Sequence, residues 1–96
     1  MRKKSDTNKT KTVQQKEEVF YDALIAEQQI KQLGARIRQL RIQKGYTNAE
    51  FFAYDHRINR SQYGKYERGE DLRFSSLLRI LQIHNLTLQE FFSDGF

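Results

Sequence analysis

The sequence predicts an all-α domain of five helices with an additional N-terminal helix or helical extension, and three observations carry that prediction. Apolar residues recur at helical spacing through most of the chain, and two stretches hold helix-capping signals. No stretch alternates with period two for long enough to form a strand. Connections of about 2 to 6 residues between the patterns would pack neighbouring helices around one core.

With 96 residues, 38% of them hydrophobic, the chain can fill one modest core, which leaves no room for a separate catalytic or ligand-sensing domain. It has no cysteine, so neither a disulfide framework nor a thiolate metal site is available. No apolar run reaches the length of a membrane span or a signal peptide, and a soluble, cytoplasmic protein with no membrane association is expected. The formal net charge of +5 is unevenly spread: Arg2, Lys3, Lys4, Lys9, Lys11 and Lys16 face only Asp6 in the first 16 residues, and the charges of the remainder cancel. The basic character belongs to the tail, so evidence for a polyanionic partner of the folded part must be local.

Taken in order, residues 1–12 read as a disordered basic tail. Val19, Ala23, Ala26, Ile30, Leu33, Ile37 and Leu40 then form one helical stripe. Either one helix runs from about Lys16 to Gln43, or two helices meet at a bend near Gln32 to Gly34. Residues 16–32 are read as the extension and 33–96 as the domain, with Gly45 stopping the helix. Thr47 and Glu50 read as a capping box flanked by a Tyr46 and Phe51 staple, starting a helix at about Asn48 that ends near Asp55 or His56. Asn59 caps a further helix from Arg60 to about Arg68, with Tyr63 and Tyr66 on its inner face and Gly69 closing it.

Glu70 to Phe74 read as a connector, after which Leu77, Leu78, Ile80, Leu81 and Ile83 mark an apolar helix stopping near His84 or Asn85. A second box, Thr87 with Glu90, starts a last short helix, with Leu86 and Phe91 at the staple positions. The expected core is Leu33, Ile37, Leu40, Phe51, Ala53, Ile58, Tyr63, Tyr66, Leu77, Leu78, Leu81, Leu88 and Phe91.

The informative feature is the pair of short helices joined by a tight turn. Ala53 is small enough for a helix crossing, and Ile58, Tyr63 and Tyr66 would anchor the second helix beneath the first. Its free face then carries Arg60, Ser61, Gly64, Lys65 and Arg68, side chains suited to an anionic surface, on an element of the right width for the DNA major groove.

Five stretches, Leu33–Arg41, Asn59–Tyr63, Tyr66–Gly69, Leu77–Leu81 and Leu88–Phe92, resemble the phage-repressor-like, or xenobiotic-response-element type, helix-turn-helix family of bacterial transcriptional regulators. The resemblance implies a regulator, in all expectation a repressor, that binds operator-like double-stranded DNA; a homodimer is expected because one module touches only a short site. It places base-reading positions on Arg60, Ser61 and Lys65, and DNA-backbone positions on Asn59 and Gln62, with Asn48 at the start of the preceding helix; Arg57, Arg68 and Arg73 are expected beside phosphates from their charge. The resemblance also implies an internal ion pair between Arg41 and Glu67. The chain departs from the family pattern in having Ala49 at a position where a phosphate-binding glutamine is common. It also has one extra residue between Gly45 and Ala53, and Arg57 where a turn glycine is usual.

Two alternatives compete with DNA reading. A protein-interaction module on the same scaffold, such as an antitoxin that binds a partner protein and regulates its own promoter, fits the neutral charge of residues 17–96 and the missing glutamine. An enzyme does not fit, because His56 and His84 have no paired nucleophile or metal-ligand pattern; no cofactor, metal or small-molecule effector is expected. The stripe upstream of Leu33, widened by Phe20, Leu24 and Ile25, needs a cover. It either folds back on its own globule or pairs with a second chain, and the last helix with Phe92 and Phe96 is the other candidate contact surface.

Overall fold

The computed structural model describes residues 21–96, and among them are five helices and no strand. They are α1 (Ala23–Gln43), α2 (Ala49–Asp55), α3 (Arg60–Glu67), α4 (Phe74–Ile83) and α5 (Leu88–Phe92). The basic tail of residues 1–12, a helix start at Lys16, and Val19 and Phe20 lie outside the described residues.

Asp22 begins α1. Its backbone is extended and its Oδ1 accepts from the Leu24 N–H at 2.9 Å, so the described helix starts at Ala23. From Ala23 the helix runs unbroken through Gln32 to Gly34, so the bend considered there is not found. Gly34 is buried where α1 crosses the end of α3, against the main chain of Tyr66 to Gly69.

Four of the helices end in the same way, with a left-handed residue just past the cap and two backbone bonds closing back over the last turn. Gly45 does this for α1, where Gly45 N–H donates to Ile42 O and Tyr46 N–H to Arg41 O. Gly69 does it for α3, Asn85 for α4, and Arg57, at φ 58, for α2. Such ends are set locally, which is why the stops are so readable in the sequence. The second capping box is present in full: Glu90 N–H donates to Thr87 Oγ1 at 3.0 Å, and Thr87 N–H to Glu90 Oε1 at 2.9 Å.

The first box is not, and its correction changes which ring enters the core. Asn48, not Thr47, caps α2; its Oδ1 accepts from Glu50 N–H at 2.7 Å and Phe51 N–H at 3.2 Å. Asparagine is the better N-cap, and a start at Ala49 turns Phe52 and Ala53 inward while Phe51 stays 65% exposed. Tyr46 accordingly packs edge-on against Phe52, with ring centroids 5.2 Å apart. Phe74 is likewise the first residue of α4 and not part of the connector.

The buried core is Ile37, Leu40, Phe52, Ala53, Tyr63, Tyr66, Leu77, Ile80, Leu81 and Phe91, with Leu33, Ile58 and Leu86 among the residues packed against it. Phe52 and Ile80 therefore replace Phe51, Leu78 and Leu88 of the expected set. Leu77, Ile80 and Leu81 form the inward stripe of α4, which leaves Leu78 half-buried at its side, and Leu88 is exposed at the first position of α5.

Candidate nucleic-acid interface

The turn between α2 and α3 is held from three directions. Ala53 is fully buried and its carbonyl accepts from Ile58 N–H at 2.8 Å, which pulls the chain round beneath α2. Asn59 caps α3, its Oδ1 accepting from Gln62 N–H at 2.9 Å. Arg79, reaching across from α4, donates from Nη2 to Arg57 O at 2.7 Å and to His56 O at 3.1 Å. Those carbonyls belong to the end of α2, where no intrahelical donor is available. Nothing local in the sequence marks Arg79 for this role, because its partners lie 22 and 23 residues away.

Two buried tyrosines fix the roll of α3. Tyr63 and Tyr66 face the core with their rings edge to face at 6.5 Å, and Tyr63 also lies 5.0 Å from the Phe52 ring. Burial pushes the Tyr63 phenol pKa upward, so it stays neutral. The end of α3 is tied to α1 by a buried fork: Arg41 Nε donates to Glu67 Oε2 at 2.8 Å and Arg41 Nη2 to Glu67 Oε1 at 3.0 Å. The third guanidinium edge donates to Tyr46 O at 2.8 Å, and the hydrogen bonds to Glu67 raise the Arg41 pKa further. A planar fork of this kind fixes orientation as well as distance.

With the inner face committed, Arg60, Ser61 and Lys65 stand together on the exposed side of α3. Arg68, the C-cap, lies over the bare Cα of Gly64, where a Cβ would fall 3.1 Å from its Nη1. Two of these cations have exposed acidic neighbours: Arg60 Nη1 is 4.0 Å from Glu50 Oε1 and Arg68 Nη2 is 3.8 Å from Glu70 Oε2. Such pairs are weak and readily exchanged for another anion.

A concavity lies on each flank of α3. One, of about 350 Å³, is lined by Asn48, Glu50, Phe51, Tyr54 and Arg60. The other, of about 560 Å³, brings Gln62 together with Arg73 across Tyr66, Asp71, Leu72 and Ser76. Asn48 and Asn59 use their carbonyl oxygens in capping, which leaves their amide N–H groups to donate outward. Arg57 is exposed at the turn.

The two histidines are both C-caps, of α2 and α4, and both lie against Phe52, at ring centroid distances of 4.3 Å for His56 and 5.3 Å for His84. Burial, reinforced by Lys44 and His56, lowers the His84 pKa to about 4. Among the described residues no helix is long and apolar enough to cross a membrane.

A protein-family model described as helix-turn-helix matches residues 37–91, more than half of the chain, from the last third of α1 into α5. No curated protein and no solved structure was found to match.

Proposed function

The chain belongs to the phage-repressor-like helix-turn-helix family, and from that premise we propose that it is a sequence-specific transcriptional repressor that acts on operator-like DNA in the cytoplasm. DNA binding in general is the property of the family. The observation that carries the finer reading is the fixed roll of α3: two buried tyrosines and the Arg41–Glu67 fork leave Arg60, Ser61 and Lys65 on its open face. Laid in a major groove, that face offers guanidinium and ammonium donors to guanine O6 and N7, and a hydroxyl that can give or accept. Asn48, Arg57, Asn59, Gln62, Arg68 and Arg73 surround it and supply phosphate contacts on both sides.

A single module of this size reads a short site, so two-fold pairing on half-sites about one DNA turn apart supplies the selectivity. The surface that supports pairing is apolar. Leu24 and Ile25 on α1 are 68% and 54% exposed, and Ile30, Leu33, Phe92 and Phe96 line a further concavity beside them. Sedimentation of the full chain and of a Leu24→Glu, Ile25→Glu variant tests this; a monomeric parent at micromolar concentration overturns it.

The test of the reading itself is a duplex selected from a random pool, titrated at several salt concentrations. Loss of a bidentate base contact is worth about 1–3 kcal/mol of discrimination, so Arg60→Ala should both weaken binding and relax sequence preference. Arg68→Ala and Arg73→Ala should instead weaken all sequences alike and lower the salt dependence. If Arg60→Ala and the parent bind indistinguishably, the assignment of α3 is wrong.

A further inference from the structure

One apolar surface is left unused by the reading above. Phe51 and Tyr54 stand one turn apart on α2, 65% and 80% exposed, while Phe52 and Ala53 between them are fully buried. The core face of α2 is therefore satisfied, and its outer aromatic pair has no packing role among the described residues. Their rings wall the concavity of about 350 Å³ whose rim is Asn48, Glu50 and Arg60.

The charge at that rim selects the occupant. Glu50 lies 4.0 Å from the Arg60 guanidinium, so the mouth is close to neutral and a phosphate entering it would meet a carboxylate. An apolar group on an otherwise polar partner fits better. Arg60 is also the first residue of α3, so the concavity continues the face that meets base edges. Among groups displayed in the major groove, the apolar one is the thymine C5-methyl.

We propose that the Phe51–Tyr54 wall reads the methyl group of a thymine adjacent to the base contacted by Arg60, making these two aromatic residues specificity determinants of the site. This rests on α3 being the major-groove helix.

The experiment uses the full chain and a selected cognate duplex in which each thymine is replaced in turn by deoxyuridine, which removes only the methyl. Burial of one methyl corresponds to about a fourfold change in affinity. One position per half-site should lose about that factor with the parent protein, and a Phe51→Ser, Tyr54→Ser variant with the parent's melting temperature should bind both duplexes equally. Indistinguishable binding of every deoxyuridine duplex by the parent overturns the inference, as does a methyl preference that survives in the variant. Either result leaves the proposed function standing. Failure to select any duplex overturns both together.

Discussion

Replacing Gly34 with alanine adds one methyl group to the protein, and the outcome depends on two opposing effects of known size. In an exposed helix interior the change would be favourable by about 1 kcal/mol, because alanine loses less backbone freedom than glycine. At position 34 the added Cβ would lie 2.4 Å from Tyr66 O, 2.9 Å from Gly69 N and 3.0 Å from Glu67 O. All three atoms are main chain at the end of α3, and cannot swing aside as a side chain would. Relief requires moving α1 and α3 apart by close to an ångström, which also opens the Arg41–Glu67 fork that joins them.

The approach of 2.4 Å to main chain puts this site at the upper end of the about 1–3 kcal/mol that overpacking costs, so after a helix-propensity gain of about 1 kcal/mol a net destabilisation of about 2 kcal/mol is expected before any loss of the fork. For a domain of this size that is a fall in melting temperature of roughly 8–16 °C. Urea unfolding followed by far-ultraviolet circular dichroism should show a lower midpoint with an unchanged slope. Gly45→Ala is the control for strain without crowding, since nothing lies within 4 Å of its Cβ and only the positive φ of 101 is strained. If Gly34→Ala is neutral or stabilising, the close crossing of α1 and α3 is wrong, and with it the account of what fixes the roll of α3.

Glu67→Gln leaves the Arg41 guanidinium buried without its counter-charge and should destabilise by about 3–5 kcal/mol, with DNA affinity falling in parallel; a loss below 1 kcal/mol would show the pair to be solvent-screened. His84 is depressed to about 4 in the folded state, so the unfolded chain takes up the proton first, and its contribution is full above about pH 6.5 and is lost as pH falls toward 4. A shift of that size corresponds to about 3 kcal/mol, which solvent at this half-buried site screens to about 1–2 kcal/mol; His84→Phe should flatten the stability profile between pH 5 and 6.5, and an unchanged profile refutes the assignment. Thr87→Ala removes one half of the reciprocal box and should cost about 0.5–2 kcal/mol in thermal unfolding, against no change if α5 is held by Phe91 alone.

Comparison of the two capping boxes shows how far local pattern can be trusted. Thr87 and Glu90 form one, and Thr47 and Glu50, with the same spacing, do not. The difference lies in Asn48, a stronger cap one residue later, and in the two adjacent phenylalanines that follow it. Only the three-dimensional fit of Phe52 between Tyr46 and Tyr63 decides which ring enters the core. The one-residue shift also turned Phe51 from a core residue into part of a surface wall.

The inner face of α3 was readable because Tyr63 and Tyr66 are three apart with charged neighbours, and helix ends were readable because glycine and asparagine act locally. The grip of Arg79 on the turn and the meeting of Gly34 with the end of α3 were not, since both depend on how helices cross. The same limit applies to the candidate site. Residue type and register suggest Arg60, Ser61 and Lys65, but the neutral rim made by Glu50 emerges only when α2 and α3 are brought together.

Arg57 sets stability against binding at a single residue. It holds a left-handed conformation, φ 58, that glycine adopts freely and that costs an L-residue about 1–2 kcal/mol. Its main-chain bonds, the N–H to Tyr54 O and the carbonyl accepting from Arg79, would all survive in a glycine. The side chain therefore brings only its positive charge, and on the reading proposed above that charge faces a phosphate. Arg57→Gly should accordingly yield a protein that melts higher yet binds operator more weakly. A screen that ranked variants by thermal stability alone would select it, and would thereby enrich for molecules less able to occupy DNA.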